Sequence, residues 1–184
     1  MDTPAGTIIA TTRLILNPLR DEDTAAVFAY RSDQETSRYQ GWKPADEAEV
    51  ARFIADQQAQ AFGTPDSWCQ LAIRERVSGE LLGDFGVHFP PTLDGPIEFG
   101  LSLRADVRGL GFARESMEAA IALAFNRWGY RRVVASVDPR NTASVALCRA
   151  LGMRQEAHHV ESYLFRGEWV DDVVFALLAR EWRK

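Results

Sequence analysis

Residues 106–125, DVRGLGFARESMEAAIALAF, place two glycines one residue apart at the start of a segment with helical apolar spacing. Met117, Ile121, Ala124, Phe125 and Trp128 fall on one face, and Gly129 follows as a natural helix stop. Glycine costs a helix interior about 1 kcal/mol relative to alanine, so Gly109 and Gly111 belong to the turn ahead of the helix. Such a turn uses glycine for positive φ or close packing. It is also compatible with an anion cradle, in which bare backbone N–H groups from 108 to 113 and the positive helix end face a phosphate. Arg108 and Arg114 would then add formal charge beside Gly109, Leu110, Gly111, Phe112 and Ala113. A dinucleotide fingerprint needs a third glycine where Arg114 stands, and a P-loop needs a Gly-Lys-Ser/Thr that is absent.

Working outward, the strand IEFGLSL (97–103) precedes the turn, and the buried-type strand RRVVASV (131–137) follows the helix. DPRNTASVALCRALG then repeats a loop-to-helix junction, with Asn141 as N-cap and Gly152 as stop. Upstream lie a strand in 11–19, a helix from near Asp21 and a polar loop over ETSRYQGWKP (35–44). A second helix carries Val50, Phe53, Ile54 and Ala61, and a hairpin joins WCQLAIRER to LLGDFGVHF. EAHHVESYLF and WVDDVVFALL close the chain as another hairpin. The order β-α-α-β-β-β-α-β-α-β-β predicts an α/β protein of the α+β type. Its central sheet is mixed and mostly antiparallel, with helices on both faces.

The 184 residues form one domain, 1–184, with a core from about 11 to 180 and no internal repeats. A net charge of −5 and a pI near 5.3 argue against a nucleic-acid partner and are compatible with a cationic one. The opening MDTPAGTIIATTRLIL has neither a basic n-region nor an apolar run of leader length, and no run is long enough to span a bilayer. Cys69 and Cys148 form no metal or disulfide pattern, and His158 and His159 alternate on a strand, so no metal is expected. A reduced, cytoplasmic location follows.

IEFGLSLRADVRGLGFARESMEAAIALAF resembles the central motif of the GNAT superfamily of acyl-CoA N-acyltransferases. The family's pyrophosphate-loop pattern, Arg/Gln-x-x-Gly-x-Gly/Ala, is matched by Arg108, Gly111 and Ala113. A second signature, an asparagine followed by a helix ending in Leu-Gly-aromatic, is matched by Asn141, Ser144, Leu151 and Gly152, with Met153 in the aromatic position. TTRLILNPLRDED and the Gly-Trp-x-Pro loop resemble the RimJ/RimL-like branch, which acetylates protein N-terminal amines and also includes small-molecule acetyltransferases.

The resemblance implies direct attack of a primary amine on acetyl-CoA in a ternary complex. The acceptor is a protein N-terminus or a small-molecule amine, and dimers are common among similar proteins. It places the pantetheine arm on the backbone of Leu101, Ser102 and Leu103, where a backbone N–H is a candidate oxyanion donor, and near Asn141. Glu98 is the candidate base and also borders the acceptor, with Asp84 and Glu156 as other strand carboxylates. The proton donor to sulfur, a tyrosine in many relatives, falls at Cys148, leaving Ser144 or Cys148 for that role. Tyr39, Gln40, Trp42 and Lys43 in the loop, with Tyr163 and Trp169 of the last hairpin, are expected to overhang the acceptor. Two rival readings are a non-catalytic acyl-CoA-binding or sensor domain and a protein that cradles another nucleotide phosphate.

Overall fold

The structure, a computed structural model, describes residue 6 and residues 8–182. The reading of the opening stretch as leaderless therefore falls partly on residues 1–5 and 7, outside the described residues.

Eight strands form one sheet in the order β1-β2-β3-β4-β5-β6-β8-β7. They are β1 (Ile9–Ala10), β2 (Leu14–Pro18), β3 (Ser67–Glu75), β4 (Leu81–Phe89), β5 (Ile97–Leu103), β6 (Arg132–Val137), β7 (Arg154–Phe165) and β8 (Glu168–Leu178). Every neighbouring pair is antiparallel except β5 and β6. The helices are α1 (Thr24–Arg31), α2 (Gln34–Ser37), α3 (Glu47–Ala59), α4 (Phe112–Asn126) and α5 (Thr142–Ala150).

Strand alternation divides the apolar residues between the two faces. Phe85, Val87, Ile97 and Phe99 meet Met117, Ala120, Ile121 and Ala124 of α4 in the larger core. Ala72 and Leu81 meet Val27, Tyr30, Val50 and Ile54 of α1 and α3 on the other face. Helices thus cover both faces of a mostly antiparallel sheet, as the element order predicts.

The parallel pair matters most for the site. β5 and β6 pair only at Ile97↔Val133 and Glu98↔Val134, although β5 continues to Leu103 and β6 to Val137. Beyond Glu98 the strands separate, and the backbone groups on their facing edges lose strand partners. Gly83 fixes the other edge of β5, since a Cβ there would stand 2.1 Å from the Ser102 carbonyl oxygen.

One expectation needs correction, one element is additional and one helix start is refined. Residues 35–44 are not wholly an exposed loop: α2 lies across its start, with Thr36 and Ser37 buried and the Asp33 carboxylate capping the Thr36 N–H at 2.7 Å. Four polar residues carry no readable periodicity, so the cap is the only signal. The two-residue strand β1 was not foreseen. Before α1, residues Asp21–Asp23 form a 3-10 turn, and the α-helix begins at Thr24.

Candidate active site

Gly109 and Gly111 both adopt left-handed backbone, with φ of 76° and 84°. The turn therefore requires glycine conformationally, and its geometry also exposes the helix entrance. Gly111 is the N-cap of α4, and the first backbone bond into the helix runs from the Glu115 N–H to the Gly111 carbonyl at 3.0 Å. N–H groups ahead of that bond have no acceptor within the helix.

A clamp from the far end of the chain holds this turn. Arg13 Nη1 donates to the Leu110 carbonyl at 3.0 Å, and its guanidinium carbon lies 4.5 Å from the Phe112 ring centroid. Leu110 itself is exposed and presents its carbonyl to the clamp rather than a side chain to the cleft. Arg108 turns back to donate to Thr36 Oγ1 at 2.7 Å and to the Leu103 carbonyl at 3.2 Å, tying α2 to the turn.

The turn borders a cleft of about 900 Å³ lined by Leu101, Ser102, Leu103, Gly109, Gly111, Phe112, Ala113, Asn141 and Ser144, among others. Its lining carries four arginines, Arg38, Arg108, Arg114 and Arg140, against one carboxylate, Glu35. Arg114 pairs with Glu118 at 2.7 Å, Arg140 with Asp138 at 2.6 Å and Arg38 with Glu35 at 4.0 Å, whereas Arg108 donates to neutral acceptors beside the positive end of α4. Asn141 caps α5 through its side-chain oxygen, which accepts from the Ser144 N–H at 3.2 Å.

A second cavity, of about 540 Å³, lies beside it. The two share Tyr39, Gln40, Leu101, Asn141, Ser144 and Leu147. They meet at the separation of β5 from β6. The second cavity is walled by Trp42, Phe53 and Trp68 and floored by Gly86 and Gly100, which oppose each other across β4 and β5.

Glu98 stands at the last paired position of the fork. Burial pushes its carboxyl above the ordinary glutamate range, while the Ser136 backbone N–H and nearby His88 act the other way and Asp172 reinforces the rise. Glu98 is not itself a wall of either cavity, but Ser136 is, so the carboxylate sits just behind the lining. Ser136 Oγ donates to Asp172 Oδ1 at 2.6 Å.

Ser144 is half-buried and faces both cavities. Cys148, one turn later, is buried and lines only the second, and burial pushes its thiol up to about 11.

The other expected residues separate. Tyr39 lines both cavities, and its hydroxyl donates to the Arg140 carbonyl at 3.2 Å. Asp84 lies beneath the second cavity, clamped by the Arg31 guanidinium and accepting from the Tyr30 hydroxyl. Glu156 does not approach the site. It is paired with Arg132 and Arg154 on the outer strand β7, because the β7–β8 hairpin places β8 between it and β6. Lys43, Tyr163 and Trp169 line neither cavity. The hairpin reaches the 37–40 loop through Arg166 instead, which donates to the Ser37 and Gln40 carbonyls. Among the described residues no group of three or more His, Cys, Asp or Glu side chains is placed to hold a metal ion, and no helix is long and apolar enough to cross a membrane.

Sequence reading missed Arg13, Glu115, Arg38 and Arg140 at the first cleft, and Arg31, Phe53, Trp68, Gly86 and Gly100 at the second. The available signal was a glycine in each of two neighbouring strands, which marks a close approach or an open space beside the backbone.

Residues 13–154 match the Acetyltransferase (GNAT) domain family, and this chain belongs to that family. It is 27% identical over 172 residues to Uncharacterized N-acetyltransferase p20 of Bacillus licheniformis, covering 94% of this chain and 96% of that one. It is 30% identical over 149 residues to Uncharacterized N-acetyltransferase YoaA of Bacillus subtilis, covering 81% and 84%. Among solved structures, a GNAT-family acetyltransferase of Bacillus anthracis superposes with a TM-score of 0.83 at 22% identity, covering 94% and 99%. A candidate ribosomal-protein-serine acetyltransferase of Vibrio cholerae gives 0.80 at 23%, covering 96% and 99%. The spermidine N-acetyltransferase of Vibrio cholerae, solved with CoA and spermine, gives 0.77 at 17%, covering 93% and 98%.

Proposed function

We propose that this chain transfers an acetyl group from acetyl-CoA to a primary amine within a ternary complex. The observation that carries this reading is the junction of an arginine-rich cleft with a second, aromatic-walled cavity at the fork between β5 and β6. Such a junction lets two ligands meet with their reacting atoms adjacent.

The first cleft suits the donor. The bare turn at Gly109 and Gly111, the α4 N-terminus and Arg108 and Arg114 suit a pyrophosphate. The unpaired edge of β5 at Leu101, Ser102 and Leu103 suits an extended amide-bearing arm, with Asn141 on the opposite wall. Acetyl-CoA supplies the activated acetyl as a thioester.

Glu98, just behind the lining at Ser136, accepts through one bridging water the proton that the amine nitrogen gives up as its bond to the acetyl carbon forms. A β5 backbone N–H beyond the fork holds the developing oxyanion. Ser144 Oγ donates a proton to the sulfur as the carbon–sulfur bond breaks, and Cys148 is the buried apolar wall behind it.

The whole chain acts as one domain in this reading. Similarity to the ribosomal-protein-serine candidate and the Thr-x-Arg-Leu motif support a RimJ/RimL-like enzyme, and a cytoplasmic location goes with that reading. The test is calorimetric titration with acetyl-CoA beside ATP and NAD, followed by thiol release in the presence of amines. Micromolar binding of acetyl-CoA alone, lost in Gly111→Asp, is expected. Equal binding of ATP or NAD would overturn the donor assignment, and binding without acetyl transfer to any amine would leave an acyl-CoA sensor.

A further inference from the structure

Building on that reading, the second cavity points to an acceptor class. We propose that the acceptor is a small primary monoamine carrying a flat aromatic group.

The walls are aromatic and held in place before any ligand arrives. The Trp42 indole donates from Nε1 to Glu49 Oε1 at 2.7 Å. Its ring lies 4.4 Å from the Phe53 ring, centroid to centroid, and the Arg31 guanidinium carbon lies 5.6 Å from it. Trp68 lies over the Gly86 end of the floor with 46% of its surface exposed, an apolar ring at the mouth.

The floor is backbone. A Cβ at Gly86 would lie 3.1 Å from the Trp68 ring, so the indole rests over bare peptide there. A Cβ at Gly100 would meet nothing within 4 Å, so the space above that peptide is open. Flat peptide below and tryptophan faces around it favour a planar group, through apolar burial and offset stacking. A cavity of about 540 Å³ is within the range for small ligands.

Charge narrows the class further. Among the described residues, the charged side chains lining this cavity are Arg31 and Asp138. Arg31 is engaged by Asp84 through its Nε at 2.9 Å and its Nη2. Asp138 accepts from Arg140 Nε at 3.0 Å and Nη2 at 2.6 Å. The lining is therefore neutral in sum, and its carboxylate is already spoken for. Glu98 behind Ser136 can serve one amine. A second ammonium, as in a polyamine, would find no unpaired carboxylate among the lining side chains, Asp172 lying behind Ser136 beside Glu98, and a charge left unpaired away from water is costly.

The experiment measures acetylation of 2-phenylethylamine, tryptamine, hexylamine, spermidine and a phenylalanyl dipeptide amide. In parallel, calorimetry measures 2-phenylethylamine binding to the CoA-loaded protein, which needs no turnover. The free aromatic amines are expected to exceed hexylamine and spermidine in kcat/KM by about tenfold. Gly100→Val, which fills open space in a strand, is expected to remove most of that advantage through KM while leaving CoA affinity unchanged. Trp68→Ala, at the exposed rim, is a second variant expected to weaken 2-phenylethylamine binding.

Spermidine or hexylamine ahead of the aromatic amines would overturn the inference while acetyl transfer stood. The dipeptide ahead of the free amines would overturn the small-molecule assignment. Binding of 2-phenylethylamine that Gly100→Val abolishes, without acetylation, would uphold the cavity's preference and overturn the transferase reading. Undisturbed binding in both variants would overturn the preference.

Discussion

Arg13 and Glu115, 102 residues apart in sequence, meet at the entrance of α4, where Arg13 Nε donates to Glu115 Oε2 at 2.7 Å. Glu115 Oε1 also accepts the Arg13 backbone N–H at 2.9 Å and the Thr11 hydroxyl at 2.5 Å. These hydrogen bonds hold its carboxyl below the ordinary range against the opposing effect of partial burial. Through Arg13 Nη1 the same pair grips the Leu110 carbonyl, between the two left-handed glycines. The residue just ahead of β2 therefore braces the glycine turn without lining the cleft.

Glu115→Ala should accordingly raise KM for acetyl-CoA with kcat nearly unchanged. A charge-assisted hydrogen bond contributes about 1.5–3 kcal/mol, but Arg13 is 46% exposed, so solvent screening reduces that. About a fivefold rise is expected, corresponding to about 1 kcal/mol. Arg13→Ala should act similarly, and the double variant should cost little more than either alone. Initial-rate kinetics check this, and additive effects would show that the two residues act separately.

Glu98→Gln should lower kcat by about 10²–10⁴-fold, the usual range for losing a positioned base, with acetyl-CoA affinity retained. The wild-type rate should fall as pH drops through the carboxyl's pKa, which burial raises above 4.5. Below that point the acid is protonated and cannot accept the amine proton. Stability responds in the opposite direction to the rate: the raised folded-state pKa favours the folded protein at low pH, and that contribution is lost as pH rises through it. A kcat profile whose acid limb survives in Glu98→Gln would assign the limb to another group.

Much of the first cleft was legible because its elements are local. The strand 97–103, the glycine turn, the apolar stripe of α4 and the Asn141 cap each occupy one short window, where periodicity and capping leave a direct trace. The second cavity was not, because it depends on register. Gly86 and Gly100 meet only because β4 and β5 pair in antiparallel register, and Phe53 reads as core because it belongs to the apolar stripe of α3. Glu156 misled for the same reason. A carboxylate on a late strand can line the fork only if its strand neighbours β6, and β8 occupies that place.

Ser144 and Cys148 share a helix face but should respond differently to substitution. Ser144→Ala should lower kcat by about 10-fold or more, the scale of general-acid assistance, with the thermal midpoint nearly unchanged at this half-buried position. Cys148→Ala should act mainly on stability, since its thiol is buried and weakly acidic, through lost contacts in the core. Kinetics and melting of both variants check this. A large kcat loss in Cys148→Ala with Ser144→Ala unaffected would exchange their roles.

Beneath the second cavity, Asp84 and Arg31 keep only 2% and 8% of their side-chain surface exposed. Asp84 also accepts from Gln70 Nε2 at 2.5 Å, and from the Tyr30 hydroxyl, so every oxygen has a partner. Removing one member strands the other. Asp84→Ala should therefore destabilise the fold by about 3–5 kcal/mol, the range for a broken buried pair. For a chain of this size that lowers the thermal midpoint by about 10 °C. Replacing both members with apolar residues, as in Arg31→Met with Asp84→Leu, should recover much of the loss, because no charge is left unpaired. The recovered protein should nevertheless bind amines less well, since Arg31 also braces Trp42. Calorimetric melting of the single and double variants separates the two contributions. A double variant no more stable than Asp84→Ala would mean that packing, not charge, decides stability here.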